Sequence, residues 1–329
     1  MPGKCPGTIR TMKTEKEFSM KKTLRTIIQL ILFIFIFQSL SYSQELTATD
    51  DTGFTLHLLQ PPQRIISLSP GNTEILFALG LGEKVMGVTT YCNEPQEALT
   101  KEKIGNVTEI DLEKILTLQP DLILASSLTP DEAIVRLREL NLSVFILKSE
   151  SIAQVIEDIQ KVSILGGVES AGQALAQTLQ EKMKQITDKT NSLTDTQKPV
   201  VFHIIWHDPI WTAGNHTFIN EFITLAGGKN LAGDLNGYST VDIEEIIRRN
   251  PAIITVIESH GGSDQSQLYQ FVTTDSRFQS MDAIKNQQVY LVDSDIVSRP
   301  GPRLITALEF FAQIIHPELF GKYEFKNQK

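Results

Sequence analysis

The chain is patterned as an α/β protein, two Rossmann-like lobes joined by one long helical link. Three features of the sequence point there. A unit of helix, proline stop and apolar run occurs twice in the same register, as DLEKILTLQPDLIL at 111–124 and DIEEIIRRNPAIIT at 242–255. The flanks of the two copies also match, each with an upstream β-like run and a helix ending in glycine. Between the copies, residues 151–193 keep a helical pattern with one break, at Gly166-Gly167. Two halves of strand–helix–strand–helix order imply two α/β lobes.

Residues 44–62 read as a polar entry with one strand, over 54–58. Arg64–Leu68 is a β-like run, and Ser69-Pro70-Gly71-Asn72 turns it into a helix that stops at Gly80. Asn72 is a candidate cap for that helix. A second strand spans 85–88, and the loop TTYCNEP (89–95) leaves its carboxyl end. In the first repeat, Asp111 can cap a helix whose Leu112, Ile115 and Leu116 share one face. Pro120 ends it. Leu122–Ala125 is a short continuous apolar run, as expected of a strand covered on both sides. A helix over 130–140 and a strand over 143–147 complete the first lobe.

Beyond Gly166-Gly167 the stripe Ala171, Ala174, Leu175, Leu179 and Met183 continues without a turn signal before Asn191. This second half is the expected rigid link. The second lobe opens at Pro199 with a strand over 200–205 and a loop over 206–216. A helix ends at Gly227-Gly228, and a loop spans 233–240. The second repeat follows, with Asp242 as cap, Ile243, Ile246 and Ile247 as the buried face, Pro251 as stop and Ile253–Ile257 as strand. A last strand over 289–292, a loop over 293–302 and a closing helix over 303–315 finish the chain. The expected boundaries are 1–43 for an export segment, 44–150 and 196–329 for the lobes, and 151–195 for the helical segment between them. Ligand groups in open α/β sheets come from loops beyond the carboxyl ends of strands. That rule selects Ser69–Asn72, Tyr91–Glu94, Trp206–His216, Ser259–Gly262 and Asp293–Pro302.

The start of the chain reads as a targeting segment. Met20-Lys21-Lys22-Thr23-Leu24-Arg25 is a positive n-region, and Ile27–Phe37 is an apolar run too short to span a bilayer comfortably. Ser41-Tyr42-Ser43 offers a cleavage site, so export to the periplasm with cleavage after Ser43 is expected, retention as an anchor being the alternative. Met20 is the more natural start, residues 1–19 reading as an over-called extension. The first 43 residues carry seven Lys or Arg and two Glu, leaving 23 basic and 37 acidic residues, a net charge of −14. Such a balance argues against a nucleic-acid partner. Cys92 is the one cysteine beyond residue 43, which excludes an intrachain disulfide there. No G-x-S-x-G, H-E-x-x-H or C-x-x-C occurs, which argues against an exported enzyme, the alternative from another class; a metal-ion receptor using His207, His216 and His260 is a third reading.

The stretches RIISLSPGNTEILFALGLG, VMGVTTYCNEP, DLEKILTLQPDLILA, WTAGNHTFINEFITLAGG and SRPGPRL together resemble the class III periplasmic substrate-binding proteins of ABC importers. Ligands of that superfamily include cobalamin, haem and ferric siderophores. TTYCNEP and WTAG look most like its cobalamin-binding branch. The resemblance implies two lobes bridged by a single long α-helix, a ligand cleft between the lobes and no bond chemistry. It also implies a monomer that captures a corrinoid, or alternatively haem or a ferric siderophore, and delivers it to a membrane permease. Tyr91 matches a tyrosine that contacts the corrinoid, Trp211 and Tyr238 fall at aromatic ligand positions, and Arg303 matches an arginine near the ligand. Val107 and Ser126 stand where the branch has tryptophans. Glu113 and Glu244 match the glutamates that dock on the two permease subunits.

The residues themselves support these roles and leave alternatives. Loop aromatics suit a flat macrocycle or a lobe core. Arg299 and Arg303 flank Pro300-Gly301-Pro302, and a guanidinium suits amides, phosphates or carboxylates, or a surface ion pair. A thiolate or imidazole from Cys92, His207 or His260 could reach a metal inside a ligand. A resident metal would need three or four such groups converging, and none is expected. His203, in mid-strand, reads as a core or surface position. Glu113 and Glu244 also suit the first turn of a helix on electrostatic grounds, and Asp242 with Glu245 forms a D-x-x-E capping-box pattern.

Overall fold

The computed structural model describes residues 45–258 and 265–324. The expected export segment and His260 with its loop therefore lie outside the described residues.

The chain enters through a hairpin, β1 (Leu46–Thr49) and β2 (Thr55–Leu58), where pattern alone gives one strand. Asp50 closes its turn. One carboxylate oxygen accepts from the Thr52 and Phe54 amides at 2.9 and 3.0 Å, and the other pairs with Arg138 at 3.2 Å. The first lobe then contributes β3 (Ile65–Ser67), β4 (Val85–Val88), β5 (Glu102–Lys103), β6 (Leu122–Ser126) and β7 (Val144–Leu147). All pair in parallel, in the order β5-β4-β3-β6-β7. Its helices are α1 (Pro70–Ala78), α2 (Leu112–Thr117) and α3 (Asp131–Glu139). Asp111 caps α2 by accepting from the Lys114 amide at 2.9 Å. Ser69 rather than Asn72 caps α1, because the Asn72 amide instead donates to the Ala125 carbonyl at 2.9 Å.

Two helices follow, α4 (Ile152–Gly166) and α5 (Glu169–Thr190). Gly167 ends α4 in the left-handed region at φ 67°, where a side chain would also strike Pro61. The 22 residues of α5 span about 33 Å at 1.5 Å each. Near its start Gly172 presses on Ser163 of α4. At its far end Thr190 donates to the Leu225 carbonyl at 2.8 Å and Lys182 pairs with Glu309 at 3.0 Å. The helical stretch thus touches both lobes, α5 through these contacts and α4 through the Ile152 amide, which donates to Glu221 at 2.9 Å.

The second lobe contains β8 (Val200–Ile204), β9 (Trp206–His207), β10 (Ile210–Ala213), β11 (Lys229–Asn230), β12 (Tyr238–Thr240), β13 (Ile253–Glu258) and β14 (Val289–Asp293). Its helices are α6 (Phe218–Leu225), α7 (Ile243–Arg249), α8 (Gln265–Thr274), α9 (Asp282–Lys285), α10 (Ser294–Ser298), α11 (Leu304–Ile315) and α12 (Pro317–Phe320). The main sheet is parallel in the order β11-β8-β13-β14. That order repeats β4-β3-β6-β7 of the first lobe, and α2–β6 and α7–β13 occupy equivalent places. The duplicated motif is therefore a duplicated structural unit. One apolar core runs from Ile65 and Phe145 of the first lobe to Phe222 and Phe311 of the second.

Three local expectations need correction. Asp242 stands at the N-cap of α7 without a side-chain cap bond, and Glu245 is drawn instead to Arg248 and Arg249. The stretch 206–216 is a hairpin that pairs with β12 in a three-stranded antiparallel sheet, not a loop. The stretch 293–302 contains α10, capped by Asp293 through the Asp295 and Ile296 amides.

Candidate ligand cleft

Two cavities open at the carboxyl ends of the parallel strands, where open α/β sheets bind ligands. The first, about 380 Å³, is walled largely by the first lobe: Ser69–Asn72 after β3, Tyr91 after β4, Ser126–Leu128 after β6 and Ser149 after β7. Arg299 and Pro300 enter it from the second lobe. The second, about 350 Å³, belongs to the second lobe and is walled by Trp206, Trp211 and Tyr238 above His203, Ile205 and Ile219. Ser298 stands in the walls of both. Each has the size of a small-molecule site.

The aromatic wall follows from strand register. Trp206 faces Trp211 across β9 and β10, and Tyr238 faces Ala213, two residues along from Trp211. Directly opposed residues, and residues two apart, share a face of the sheet. All three rings therefore project from one side, and they remain 55%, 39% and 56% exposed. Tyr91 projects from the first lobe at 54% exposure. Its loop is pinned by its neighbours: the Cys92 thiol is buried beside the Thr73 and Thr89 hydroxyls at 3.1 and 3.2 Å, and Lys103 donates to the Cys92 carbonyl at 3.2 Å. Large apolar groups left exposed side by side mark a binding surface.

Below the cavities the lobes meet in a polar seam. Arg303 Nη2 and Nε donate to the two carboxylate oxygens of Glu74 at 2.6 and 3.0 Å. Arg299 donates to Asn93 and pairs with Asp295 at 2.6 Å, and the Asn93 amide also donates to Asp295 at 3.0 Å. Burial pushes the Glu74 carboxyl above its ordinary value, against the downward pull of Arg303 and Arg299. Gly71 must be glycine here, since a Cβ would lie 2.3 Å from the Pro300 carbonyl oxygen. Away from the seam, Glu113 and Glu244 are exposed in the first turns of α2 and α7.

This architecture has counterparts. Residues 65–296 match the family described as periplasmic binding protein.

The chain belongs to that family.

It is 34% identical over 280 residues to the uncharacterized ABC transporter substrate-binding lipoprotein YvrC of Bacillus subtilis, covering 83% of this chain and 86% of the relative. It is 30% identical over 251 residues to the vitamin B12-binding protein of Vibrio parahaemolyticus, covering 76% and 88%. The crystal structure of the periplasmic vitamin B12 binding protein BtuF of Vibrio cholerae superposes with a TM-score of 0.65 at 29% identity, over 78% of this chain and 97% of that one. The protein is thus a substrate-binding protein of the ABC-importer class, with two lobes and a helical bridge.

The structure places two of the site residues expected from sequence away from the cavity walls. Cys92 is fully buried in the core and lines neither cavity. Arg303 is committed to Glu74 and lies outside both cavity walls, whereas Arg299 lines the first cavity. Tyr91, Trp211 and Tyr238 lie in the cavity walls. His207 packs between Trp206 and Phe271 at ring distances of 4.9 and 5.2 Å. Among the described residues, no group of three His, Cys, Asp or Glu is arranged to hold a metal.

Sequence reasoning missed His203, which forms part of the second cavity wall. Burial holds its pKa down to about 3, so the native ring is neutral where an unfolded histidine, near 6.5, takes a proton. The sign follows: below pH 6.5 the unfolded state binds the extra proton, so this residue's share of stability is full above 6.5. It is lost as pH falls toward 3. At pH 5.5 the loss is about 1.4 kcal/mol. His203→Leu combined with Thr255→Val, which leaves no orphaned hydroxyl, should flatten denaturant-measured stability between pH 7 and 5 by about 2 kcal/mol. Parallel pH profiles of variant and parent would contradict it.

Proposed function

We propose that this binding protein is exported, captures cobalamin or a related corrinoid between its lobes, and hands it to an ABC permease through Glu113 and Glu244. The observation that supports the ligand reading is the exposed aromatic lining of two cavities that share Ser298. Trp206, Trp211 and Tyr238 in one and Tyr91 in the other offer rings to a broad, flat molecule. The first cavity adds hydroxyls and amides suited to a macrocycle fringed with polar groups. Relatives named as vitamin B12-binding proteins support the same ligand class. Val107 and Ser126, both on the first cavity wall, make that side smaller and more polar than a tryptophan pair would.

The test is calorimetric titration with cyanocobalamin, hemin and ferric siderophores. Micromolar or tighter binding of cyanocobalamin is expected. Trp211→Ala should weaken it by about 2 kcal/mol, roughly thirtyfold in Kd, as for a central aromatic anchor. Saturable binding of hemin alone would move the assignment to haem.

A further inference from the structure

The helix α4 begins with an amide that is satisfied from the other lobe. Ser151 caps α4 by accepting from the Gln154 amide at 3.2 Å. The Ile152 amide, a first-turn donor with no acceptor inside the helix, is left over. Glu221 of the second lobe fills it, with Oε2 at 2.9 Å. Ile152 is 2% exposed, and an amide so buried is costly to leave unpaired. Glu221 itself lies in the first turn of α6, so one carboxylate serves the positive ends of two helices, its own and α4. Burial raises the Glu221 carboxyl above its ordinary value, while the Ile152 amide pulls it down.

This contact adjoins both cavities. Ile152 follows Ser149, in the first cavity wall, by three residues, and Glu221 follows Ile219, in the second, by two. The seam of Glu74, Arg303, Asn93 and Arg299 ties different segments, α1 and the Tyr91 loop to the stretch 299–303. Lobes tied at one place can pivot about it, and a second tie removes that freedom. We propose that Glu221 is a positioning residue for ligand capture: by holding the start of α4 against α6 it sets the spacing between the Ser149 wall of the first cavity and the Ile219 wall of the second. This rests on the reading that one ligand spans both cavities. Spacing fixed in advance spares the ligand the cost of ordering the walls.

The test uses the full mature protein with nitroxide labels at Glu132→Cys on α3 and Lys285→Cys on α9, both exposed, Cys92 being buried. Two variants break the contact from opposite sides. Glu221→Leu removes the acceptor, and Ile152→Pro removes the donor at a helix position that suits proline. Glu221→Gln keeps a carbonyl for the amide and serves as the rescue. In each breaking variant the ligand-free distance distribution, measured by pulsed electron spin resonance, should be wider than in the parent. Cyanocobalamin should bind about tenfold more weakly, as when about a tenth of the molecules hold the binding geometry. Binding is read from Trp206 and Trp211, the chain's two tryptophans, both in the second cavity wall. Glu221→Gln should return both readouts close to the parent. A lower melting temperature with unchanged distances and affinity would reduce the contact to a fold-stabilising one and overturn the proposal, as would either readout changing without the other. A parent protein that ignores cyanocobalamin would overturn the corrinoid reading, and the ligand-free distances would still decide whether Glu221 sets the spacing.

Discussion

Glu74→Ala should lower unfolding stability by about 3 kcal/mol, the cost of stripping one partner from a buried ion pair. Glu74 is almost wholly buried in α1 and receives both donors of the Arg303 fork, with Arg299 Nη1 a further 4.0 Å away. Removing the carboxylate leaves the Arg303 guanidinium unmatched at the seam between lobes, while Arg299 keeps its pair with Asp295. Arg303 keeps some exposure, which sets the effect at the lower end of the range for buried pairs. The expected fall in melting temperature is roughly 5–10 °C. Ligand affinity should drop as well, because Arg299 and Pro300 are held against α1 by this seam and line the first cavity. Adding Arg303→Ala should restore part of the stability, since the double variant buries no orphaned charge at that pair. A single variant within 1 kcal/mol of the parent, or a double variant no better than the single, would show that the seam does not hold the lobes.

The seam was half-legible in the sequence. The SRPGPRL stretch marked the right segment, and chemistry alone assigned its arginines to the ligand. What reversed the assignment for Arg303 was a carboxylate 229 residues earlier, whose inward turn depends on how α1 meets the other lobe. Cys92 is a related case: position in a ligand-side loop was readable, but the burial of its side chain was not. The duplicated unit was the most legible feature, because helix periodicity, proline stops and apolar runs are local signals. They fixed α2–β6 and α7–β13 in equivalent places. The three-stranded sheet of β9, β10 and β12 was invisible, since β9 and β12 are three residues or fewer and β12 pairs with β10 across 25 or more positions. With it went the reason why Trp206, Trp211 and Tyr238 share a face. His203 sat in an apolar strand and looked inert.

Removing both Glu113 and Glu244 should abolish ligand uptake while leaving ligand affinity intact. The two residues take the second position of α2 and α7, helices that precede equivalent strands in the two sheets. In a parallel α/β sheet such helices begin at the carboxyl edge of the strands, the edge that bears the cleft. Each lobe thus carries one exposed carboxylate at an equivalent helix start, and the shared core fixes the distance between the two. Two charge-assisted contacts at a fixed spacing select a partner by geometry as well as by charge. Losing one contact should weaken docking by about 2 kcal/mol, roughly thirtyfold, and losing both should leave no measurable transport. The competing role, favourable charge at a helix start, is worth only about 0.3–1 kcal/mol to folding. Glu113→Gln and Glu244→Gln should therefore leave melting temperature and cyanocobalamin titrations nearly unchanged while stopping uptake through the reconstituted permease. Glu245→Gln is the control. Its carboxylate is tied to Arg248 and Arg249, which hold its pKa down to about 2 by hydrogen bonding, so its loss should disturb α7 locally and spare transport. Normal uptake in the double variant would remove the docking role and leave these glutamates as helix-start residues alone.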